Sequence, residues 1–303
     1  MSIEMNSIEY AMGFTGMRNV FSMDEDDIRK WLRKHRRYGS LACPAYFERR
    51  YRRTDKFFRG RLCMLLTPRR RTKQDNSWLI YIHGGGYTLE MNILEWRFLY
   101  RLALRTGMSV AVPYFPSAPQ HDCKDTLKMM YSVYTYLLKR TDGSNIRLVG
   151  TSSGGGIALS LAQLLKKNGK SAPRDLILLS PTLNLNIPNN EEWRRMQHIA
   201  PHDKLLSPEI FYMLGKWWGN GIPRDNYLVS PYYGPLKDIG KVSVFSGTHD
   251  VLNVSANELY KKALRDGVSI DLYEFVGMPH MWFLFPGPES RDAFRTILDI
   301  IRK

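Results

Sequence analysis

A serine between glycines is the group in this sequence whose surroundings are best suited to chemistry. An apolar run that begins at Ile146 leads into the pattern G-x-S-x-G, centred on Ser152, and a helical pattern follows it. A strand that turns sharply into a helix presents such a serine as a nucleophile, and small residues two before and two after it prevent clashes in the strained turn. Ser153 cannot be the centre, because Thr151 would then occupy the first glycine position. We therefore predict that Ser152 is a nucleophile.

A run of glycines suggests the groups that would stabilise a developing negative charge. The sequence His-Gly-Gly-Gly at positions 83–86 directly follows the apolar stretch Trp78–Ile82. Acyl transfer needs backbone N–H groups that point at the oxyanion, and glycines let a backbone approach it closely. We predict that the N–H groups of Gly84, Gly85 and Ser153 form an oxyanion hole. A flexible glycine turn is the alternative, and a phosphate-binding loop is disfavoured because neither GK[ST] nor GxGxxG follows.

A nucleophilic serine also needs a base and a carboxylate that orients the base. Two predicted strands near the C-terminus lead into loops with such groups, Asp250 in Gly-Thr-His-Asp-Val-Leu and His280 in Gly-Met-Pro-His. Both follow the ends of consecutive strands, as Ser152 does, in the chain order serine, acid, histidine. His249 is the main competitor as the base, but only His280 has the predicted place. We predict a triad of Ser152, His280 and Asp250.

These residues require a framework of alternating strands and helices, which begins near Arg61. Continuous apolar runs predict strands that are buried on both faces, and stretches with apolar residues at helical spacing lie between them. Such an alternation is typical of a mostly parallel sheet with helices on both faces. The predicted strands are Leu62–Thr67, Trp78–His83, Ser109–Phe115, Ile146–Gly150, Leu176–Ser180, Val242–Ser246 and Ile270–Phe275.

Two regions fall outside this alternation. Residues 1–60 are predicted to be helical, and an interval at about 186–229 has no strand pattern but contains an apolar stripe at helical spacing. We predict that both regions contribute to a helical cap over the strand ends, and that residues 61–303 form the catalytic domain. The apolar stripe has a simpler interpretation, namely packing. The side chains predicted to bind substrate are Tyr87, Phe211, Leu214 and Trp218.

The net charge of +15 is concentrated in one segment. Residues 29–73 contain 17 Lys or Arg and two acidic residues, Glu48 and Asp55, whereas the rest of the chain is balanced. One interpretation is a surface that contacts anions such as lipid headgroups, acidic polymers or nucleic acid. The alternative, which we favour, is two solvated helix faces with aromatic side chains packed inward, since no recognisable nucleic-acid motif occurs. No specific nucleic-acid partner is predicted.

The cysteine content and the hydropathy of the sequence bear on the cellular location of the protein. Cys43, Cys63 and Cys123 are odd in number and form no CxxC, so we expect free thiols of a reducing compartment and no zinc site. The N-terminal residues lack the basic start and apolar run of a signal peptide, and no stretch approaches the about 18 apolar residues of a membrane span. The sequence thus predicts a cytoplasmic protein without a bound metal.

Together, these motifs resemble the hormone-sensitive-lipase family of α/β-hydrolases over most of residues 60–303. The His-Gly-Gly-Gly run resembles the family's oxyanion motif, and Gly-Thr-Ser-Ser-Gly-Gly at 150–155 resembles its GDSAGG-type elbow. The segment Tyr114–Pro119 resembles the YRLAPE motif, and Asp250 and His280 match the acid and histidine motifs. The resemblance implies an α/β-hydrolase fold with an eight-stranded, mostly parallel sheet. It also implies a cap built from the N-terminal region and an insertion after the sixth strand.

The resemblance further implies an activity: hydrolysis of small-molecule carboxylic esters with short to medium acyl chains, through an acyl-enzyme and without metal or cofactor. Thr151 and Ser153 depart from the family's aspartate and alanine. Both are small, so the turn is kept, but the polar contacts behind it must differ. An amidase or deacetylase on the same triad is an open alternative, as is a ligand-binding protein on a hydrolase scaffold. The oligomeric state is also open, a homodimer included.

Overall fold

An eight-stranded sheet forms the centre of the protein. The computed structural model describes residues 23–35, 43–70, 76–187 and 191–303. The strands follow the order β1-β2-β4-β3-β5-β6-β7-β8; β1 and β2 pair antiparallel, β2 pairs antiparallel with β4, and all other pairs are parallel. The prediction of an eight-stranded, mostly parallel sheet is therefore confirmed. The strands are β1 (Tyr51–Phe58), β2 (Arg61–Pro68), β3 (Trp78–Ile82), β4 (Ser109–Pro113), β5 (Ile146–Thr151), β6 (Asp175–Leu179), β7 (Lys241–Gly247) and β8 (Asp271–Phe275).

Helices cover both faces of this sheet. One face carries α2, α3 and α9, and the other carries α4, α5 and α8 together with the helices between β6 and β7. In the part of the chain that the structure describes, no helix is long and apolar enough to cross a bilayer. The α-helices are α1 (Glu25–His35), α2 (Ala45–Glu48), α3 (Ile93–Thr106), α4 (Cys123–Leu138), α5 (Ser153–Lys167), α6 (Glu191–Ile199), α7 (Ile210–Gly219), α8 (Asn253–Arg265) and α9 (Pro288–Arg302).

The core has two parts, one on each face of the sheet. Successive side chains of a strand point to opposite faces, so Leu79 and Tyr81 of β3 pack beneath α3, while Ile80 and Ile82 pack on the side of α4 and α5. All four side chains are fully buried. This double burial explains why the central strands are continuous apolar runs in the sequence. Each of the seven predicted strands overlaps an observed one.

The prediction that residues 1–60 are helical is wrong for residues 51–58, which form the edge strand β1. Arg59 and Gly60 connect β1 to β2 with φ angles of 51° and 76°, the two positive values of a type I′ hairpin turn. Charged side chains are common on an edge strand, where they hinder pairing with another chain, and they hid the strand pattern here. Residues 1–22 and 36–42 of the predicted helical region lie outside the described residues.

The interval between β6 and β7 holds α6 and α7, and its described residues contain no strand. Helix α1 lies against α7 through Glu25, whose carboxylate accepts hydrogen bonds from Lys216 Nζ at 2.7 Å and Trp217 Nε1 at 2.8 Å. The Arg29 guanidinium lies 4.7 Å from the centre of the Trp217 ring. The hydrogen bonds from Lys216, Trp217 and Arg29 lower the pKa of Glu25 to about 2. The N-terminal helix and the inserted helices are therefore joined to each other.

Candidate active site

The turn between β5 and α5 holds Ser152 in a strained backbone conformation. Ser152 has φ 52° and ψ −121°, a combination that a residue with a side chain rarely adopts. A Cβ atom at Gly150 would collide with the backbone of Gly154, and one at Gly154 would collide with the carbonyl oxygen of Ile82. The two glycines of the G-x-S-x-G pattern are thus required by close backbone contacts. The strain aims the Ser152 hydroxyl away from the sheet, into a cavity that it lines.

Three side chains from separate loops form a continuous hydrogen-bonded chain. His280 Nε2 lies 3.0 Å from Ser152 Oγ, and His280 Nδ1 lies 2.8 Å from Asp250 Oδ2. A carboxylate can only accept, so Nδ1 carries the proton and Nε2 faces the serine with its lone pair. All three residues are buried. It is His280 that contacts the serine hydroxyl, while the ring of the competing His249 stacks on that of His202, with 4.6 Å between the ring centroids.

The acid controls the protonation of the base. Burial of the His280 ring lowers its pKa, but the negative charge of Asp250 and the hydrogen bond to it outweigh burial, so the pKa of His280 is raised above its ordinary value. Asp250 is held in turn by the N–H of Leu252, which donates to Asp250 Oδ1 at 2.9 Å. The arrangement therefore favours the protonated form of the His280 imidazole.

The glycine run provides two free N–H groups, those of Gly85 and Gly86 in place of the predicted Gly84 and Gly85. The N–H of Gly84 donates to Glu95 Oε1 at 2.8 Å and is therefore unavailable to an oxyanion, so the prediction for Gly84 is wrong. Gly85 and Gly86 both line the cavity with Ser152, and neither N–H donates to an acceptor within the described residues. The N–H of Ser153 begins α5, where no carbonyl of the same helix can accept it.

Glu95 is a buried carboxylate that the sequence analysis missed. Its Oε1 accepts hydrogen bonds from the N–H of Gly84 and, at 2.6 Å, from the Thr151 hydroxyl. Its Oε2 accepts from the N–H and the side-chain amide of Asn92 at 3.3 and 3.1 Å, which closes a capping box at the start of α3. One side chain thus connects the glycine run, the turn before Ser152 and a helix start. The N-x-x-E spacing from Asn92 to Glu95 was the available sequence signal.

An apolar cavity of about 420 Å³ opens above the triad. Of the side chains predicted to bind substrate, Phe211 and Leu214 line it. Tyr87 and Trp218 do not: both are buried, and they stack on each other with 4.2 Å between their ring centroids. Their role is packing: Trp218 lies on the part of the α7 stripe that faces the core, and the Tyr87 ring, which follows the glycine run, covers it. The other apolar lining side chains are Leu89, Leu94, Leu205, Leu206, Ile210, Met281, Leu284 and Phe285.

Comparisons with known proteins agree with this architecture. A family model for the α/β-hydrolase fold matches residues 79–284. Over 223 residues the chain is 32% identical to LipR of Mycobacterium tuberculosis, whose name proposes an acetyl-hydrolase activity; the match covers 72% of this chain and 70% of LipR. It is 27% identical over 229 residues to a triacylglycerol lipase of the same organism, and this match covers 74% of the chain but only 46% of the relative.

The solved structures give the same answer for the fold. The structure described as an esterase/lipase from an uncultured bacterium superimposes with a TM-score of 0.83 at 19% identity, covering 100% of this chain and 98% of that chain. At this identity the similarity concerns the fold. The sheet order, the serine turn, the family match and the sequence relatives lead to one assignment: the chain belongs to the α/β-hydrolase fold family, as a hormone-sensitive-lipase-like member.

Proposed function

We propose that this protein is a serine carboxylesterase with Ser152 as nucleophile, His280 as general base and Asp250 as the orienting acid. The observation that carries the proposal is the unbroken hydrogen-bonded chain from Ser152 Oγ through His280 to Asp250, at 3.0 and 2.8 Å, on the floor of an apolar cavity. A protein that had lost catalysis would not need to keep both this chain and the free N–H groups beside it.

The mechanism follows from these positions. His280 Nε2 removes the hydroxyl proton as Ser152 Oγ attacks the acyl carbonyl, and the tetrahedral oxyanion forms beside the N–H groups of Gly85, Gly86 and Ser153. Each such donor stabilises the transition state by about 3 kcal/mol, because the site is organised before the charge develops. His280 then protonates the leaving alcohol. Water attacks the acyl-enzyme by the same route, and Ser152 is regenerated.

The cavity favours an uncharged substrate of modest length. Its walls are mainly aliphatic and aromatic, and its volume of about 420 Å³ is near the lower end of the range of roughly 300–1,000 Å³ for small-molecule sites. Glu90 also lines the cavity, and its carboxylate disfavours an anionic group at that position. We therefore propose esters with short to medium acyl chains. The name of one relative, an acetyl-hydrolase, agrees with a short acyl chain, and that of the other, a triacylglycerol lipase, agrees with ester hydrolysis.

The cap and the basic segment carry further proposals. We propose that α1 and the helices of residues 186–229 act together as a cap, because Glu25 joins α1 to α7 and the α7 side chains Phe211 and Leu214 form part of the cavity wall. Contact with anions through residues 29–73 also remains a proposal. It would appear as salt-sensitive binding to heparin or to anionic vesicles.

The activity is tested with a series of p-nitrophenyl esters from acetate to palmitate. Wild type is compared with Ser152→Ala and with Ser132→Ala, a matched control at an exposed hydroxyl of α4 that donates to Lys128 O. We expect hydrolysis by wild type and control, with a preference for the shorter chains, and none above background for Ser152→Ala. Absence of Ser152-dependent turnover on every ester, in protein shown to be folded, would refute the esterase proposal and favour a ligand-binding protein.

An amide series separates the remaining alternative. Serine amidases also cleave activated p-nitrophenyl esters, so the informative result is whether the p-nitroanilides of the best acyl groups are cleaved at all. Ser152-dependent release of p-nitroaniline would indicate an amidase on this triad; we expect none above background.

A further inference from the structure

Two His-Asp dipeptides from different parts of the chain meet beside the triad. His202-Asp203 lies between α6 and α7, and His249-Asp250 follows β7. The rings of His202 and His249 stack with an interplanar angle of 22°. The carboxylates of Asp203 and Asp250 are both completely buried. The inserted segment therefore reaches the loop that carries the catalytic acid.

Asp203 makes hydrogen bonds in two directions. Its Oδ1 accepts the N–H groups of Leu205 and Leu206, both at 2.9 Å, and these two residues line the catalytic cavity. Its Oδ2 accepts the N–H of Val251 at 3.0 Å, across 48 residues of sequence. A single carboxylate thus fixes part of the cavity wall and the residue next to the catalytic acid.

The turn after Asp250 is held by two carboxylates. The N–H of Val251 donates to Asp203, and the N–H of Leu252 donates to Asp250 Oδ1, which leaves Asp250 Oδ2 for His280. Movement of Val251 would displace Asp250 and change the angle at which Oδ2 meets the imidazole. Because orientation of the base depends on this contact, the Asp203 bond acts on catalysis through Asp250.

We propose that Asp203 is a positioning residue that connects the inserted segment to the catalytic acid, so that the cavity wall and the triad are aligned by one buried carboxylate. This inference rests on the proposed esterase function. Asp203 acts on the triad in two ways, through the N–H of Val251 and through its charge, which favours the protonated form of His280. It extends the active site to a residue that lies between α6 and α7.

The charges around Asp203 give the proposal a pH signature. Burial and the negative charge of Asp250 raise the pKa of Asp203 to about 6, so the carboxyl ionises near neutral pH. The charge of Asp203 in turn contributes to the raised pKa of His280. Lys204 directs its ammonium to Pro201 O. The titratable groups that face this junction are His202, His249, Asp250 and His280, with Glu95 acting on His280 from the side of α3.

The test compares Asp203→Asn with wild type. Asparagine keeps one oxygen for Leu205 and Leu206 but presents an amide nitrogen to the N–H of Val251, so the connection to the acid turn is broken while the cavity wall is retained. We expect kcat on the best ester to fall by roughly 100-fold, because small displacements of catalytic groups have effects of that size. We also expect little change in KM. Loss of the negative charge should move the acid limb of the kcat/KM profile to lower pH.

The control is Asp238→Asn, the same change at an exposed aspartate that pairs with Lys166 at 2.8 Å. It should leave kcat, KM and the pH profile unchanged. For Asp203→Asn, a raised KM with unchanged kcat, or an acid limb that does not move, would mean that Asp203 only supports the fold of the cavity wall. Either result overturns the proposal.

A measurement on the wild-type protein keeps the proposal testable if Asp203→Asn does not fold. The Nδ1 proton of His280 can be followed by NMR as pH is lowered. We expect two steps, one from the His280 ring and one from Asp203, and a single step would overturn the proposal. This readout needs no substrate. Absence of Ser152-dependent turnover would therefore refute the esterase function and still leave the role of Asp203 to be decided.

Discussion

Replacing Glu95 with glutamine tests whether the carboxylate behind the glycine run positions the oxyanion donors. Five donors address its two oxygens: the N–H of Gly84, the hydroxyls of Thr151 and Tyr81, and the N–H and amide of Asn92. Glutamine has one oxygen, so in either orientation the donors on one side face an amide nitrogen. The hydroxyl of Thr151 can rotate and accept, but the N–H of Gly84 can only donate.

The expected magnitude follows from these contacts. Hydrogen bonds to a charged acceptor contribute about 1.5–3 kcal/mol, neutral ones contribute about 0.5–1.5 kcal/mol, and a buried unpaired donor costs about 1–3 kcal/mol. Weakening the two short bonds and leaving Gly84 or Asn92 unpaired should lower the free energy of unfolding by about 3 kcal/mol. Release of Gly84 should also let the neighbouring N–H groups of Gly85 and Gly86 drift, and kcat should fall by roughly 10- to 100-fold.

The assay combines denaturant unfolding with steady-state kinetics on the best p-nitrophenyl ester. Thr151→Val is the matched comparison, since it removes the 2.6 Å bond and leaves the bond from Gly84 in place. It should destabilise the fold less and lower kcat less than Glu95→Gln does. In the double variant, the losses in the free energy of unfolding should sum to less than the two single losses, because both changes affect one hydrogen-bond network. A normal kcat in folded but destabilised Glu95→Gln would refute the positioning role and leave Glu95 as a structural residue only.

Three further predictions concern the triad and the glycine run. Asp250→Asn should lower kcat by roughly 10⁴-fold with a small change in KM, because His280 loses the group that fixes its tautomer and stabilises its charged form, as for the aspartate of other serine triads; a loss below tenfold would contradict the assignment. The kcat/KM of wild type should fall as pH is lowered through the pKa of His280, with a midpoint above the ordinary value of 6.5, because only the neutral ring accepts the serine proton and Asp250 favours the charged one; a midpoint below 6.5 would be inconsistent with the buried pair. Gly85→Ala should abolish activity, since φ is 103° and the new Cβ would lie 2.8 Å from Leu89 O; Gly169→Ala, at an exposed helix end with open space around it, is the control for a positive φ and should lower stability alone.

The sequence was sufficient for the residues whose surroundings repeat a local rule. Ser152 was predicted as a nucleophile because a strained strand-to-helix turn needs small neighbours, and those neighbours are adjacent in the chain. Asp250 and His280 were predicted as its partners because each directly follows a buried strand, and the carboxyl ends of parallel strands meet at one edge of the sheet. The structure brings the three together through hydrogen bonds across 128 and 30 residues of sequence.

Local sequence patterns failed where a side chain from a distant part of the sequence decides the role of a residue. Gly84 resembles its neighbours in sequence, yet its N–H is occupied by Glu95, 11 residues away on α3. Tyr87 and Trp218 have the composition of a binding site, but their rings bury each other. Strand β1 was missed because charged side chains occur on both of its faces, and only its pairing with β2 identifies it as part of the sheet.

What the sequence determined by itself is the alternation of strands and helices from β2 onward and the three residues that we propose as a triad, since both follow from apolar periodicity and short turn motifs. The tertiary structure decided which other buried carboxylates lie beside those three residues. Glu95 meets Thr151 across 56 residues, and Asp203 meets Val251 across 48. An acidic residue in a sequence is usually a solvated surface group. Such a residue becomes part of an active site only when packing removes the water around its carboxylate and N–H and O–H donors replace that water. Those donors come from distant parts of the chain, so no local sequence pattern reveals them.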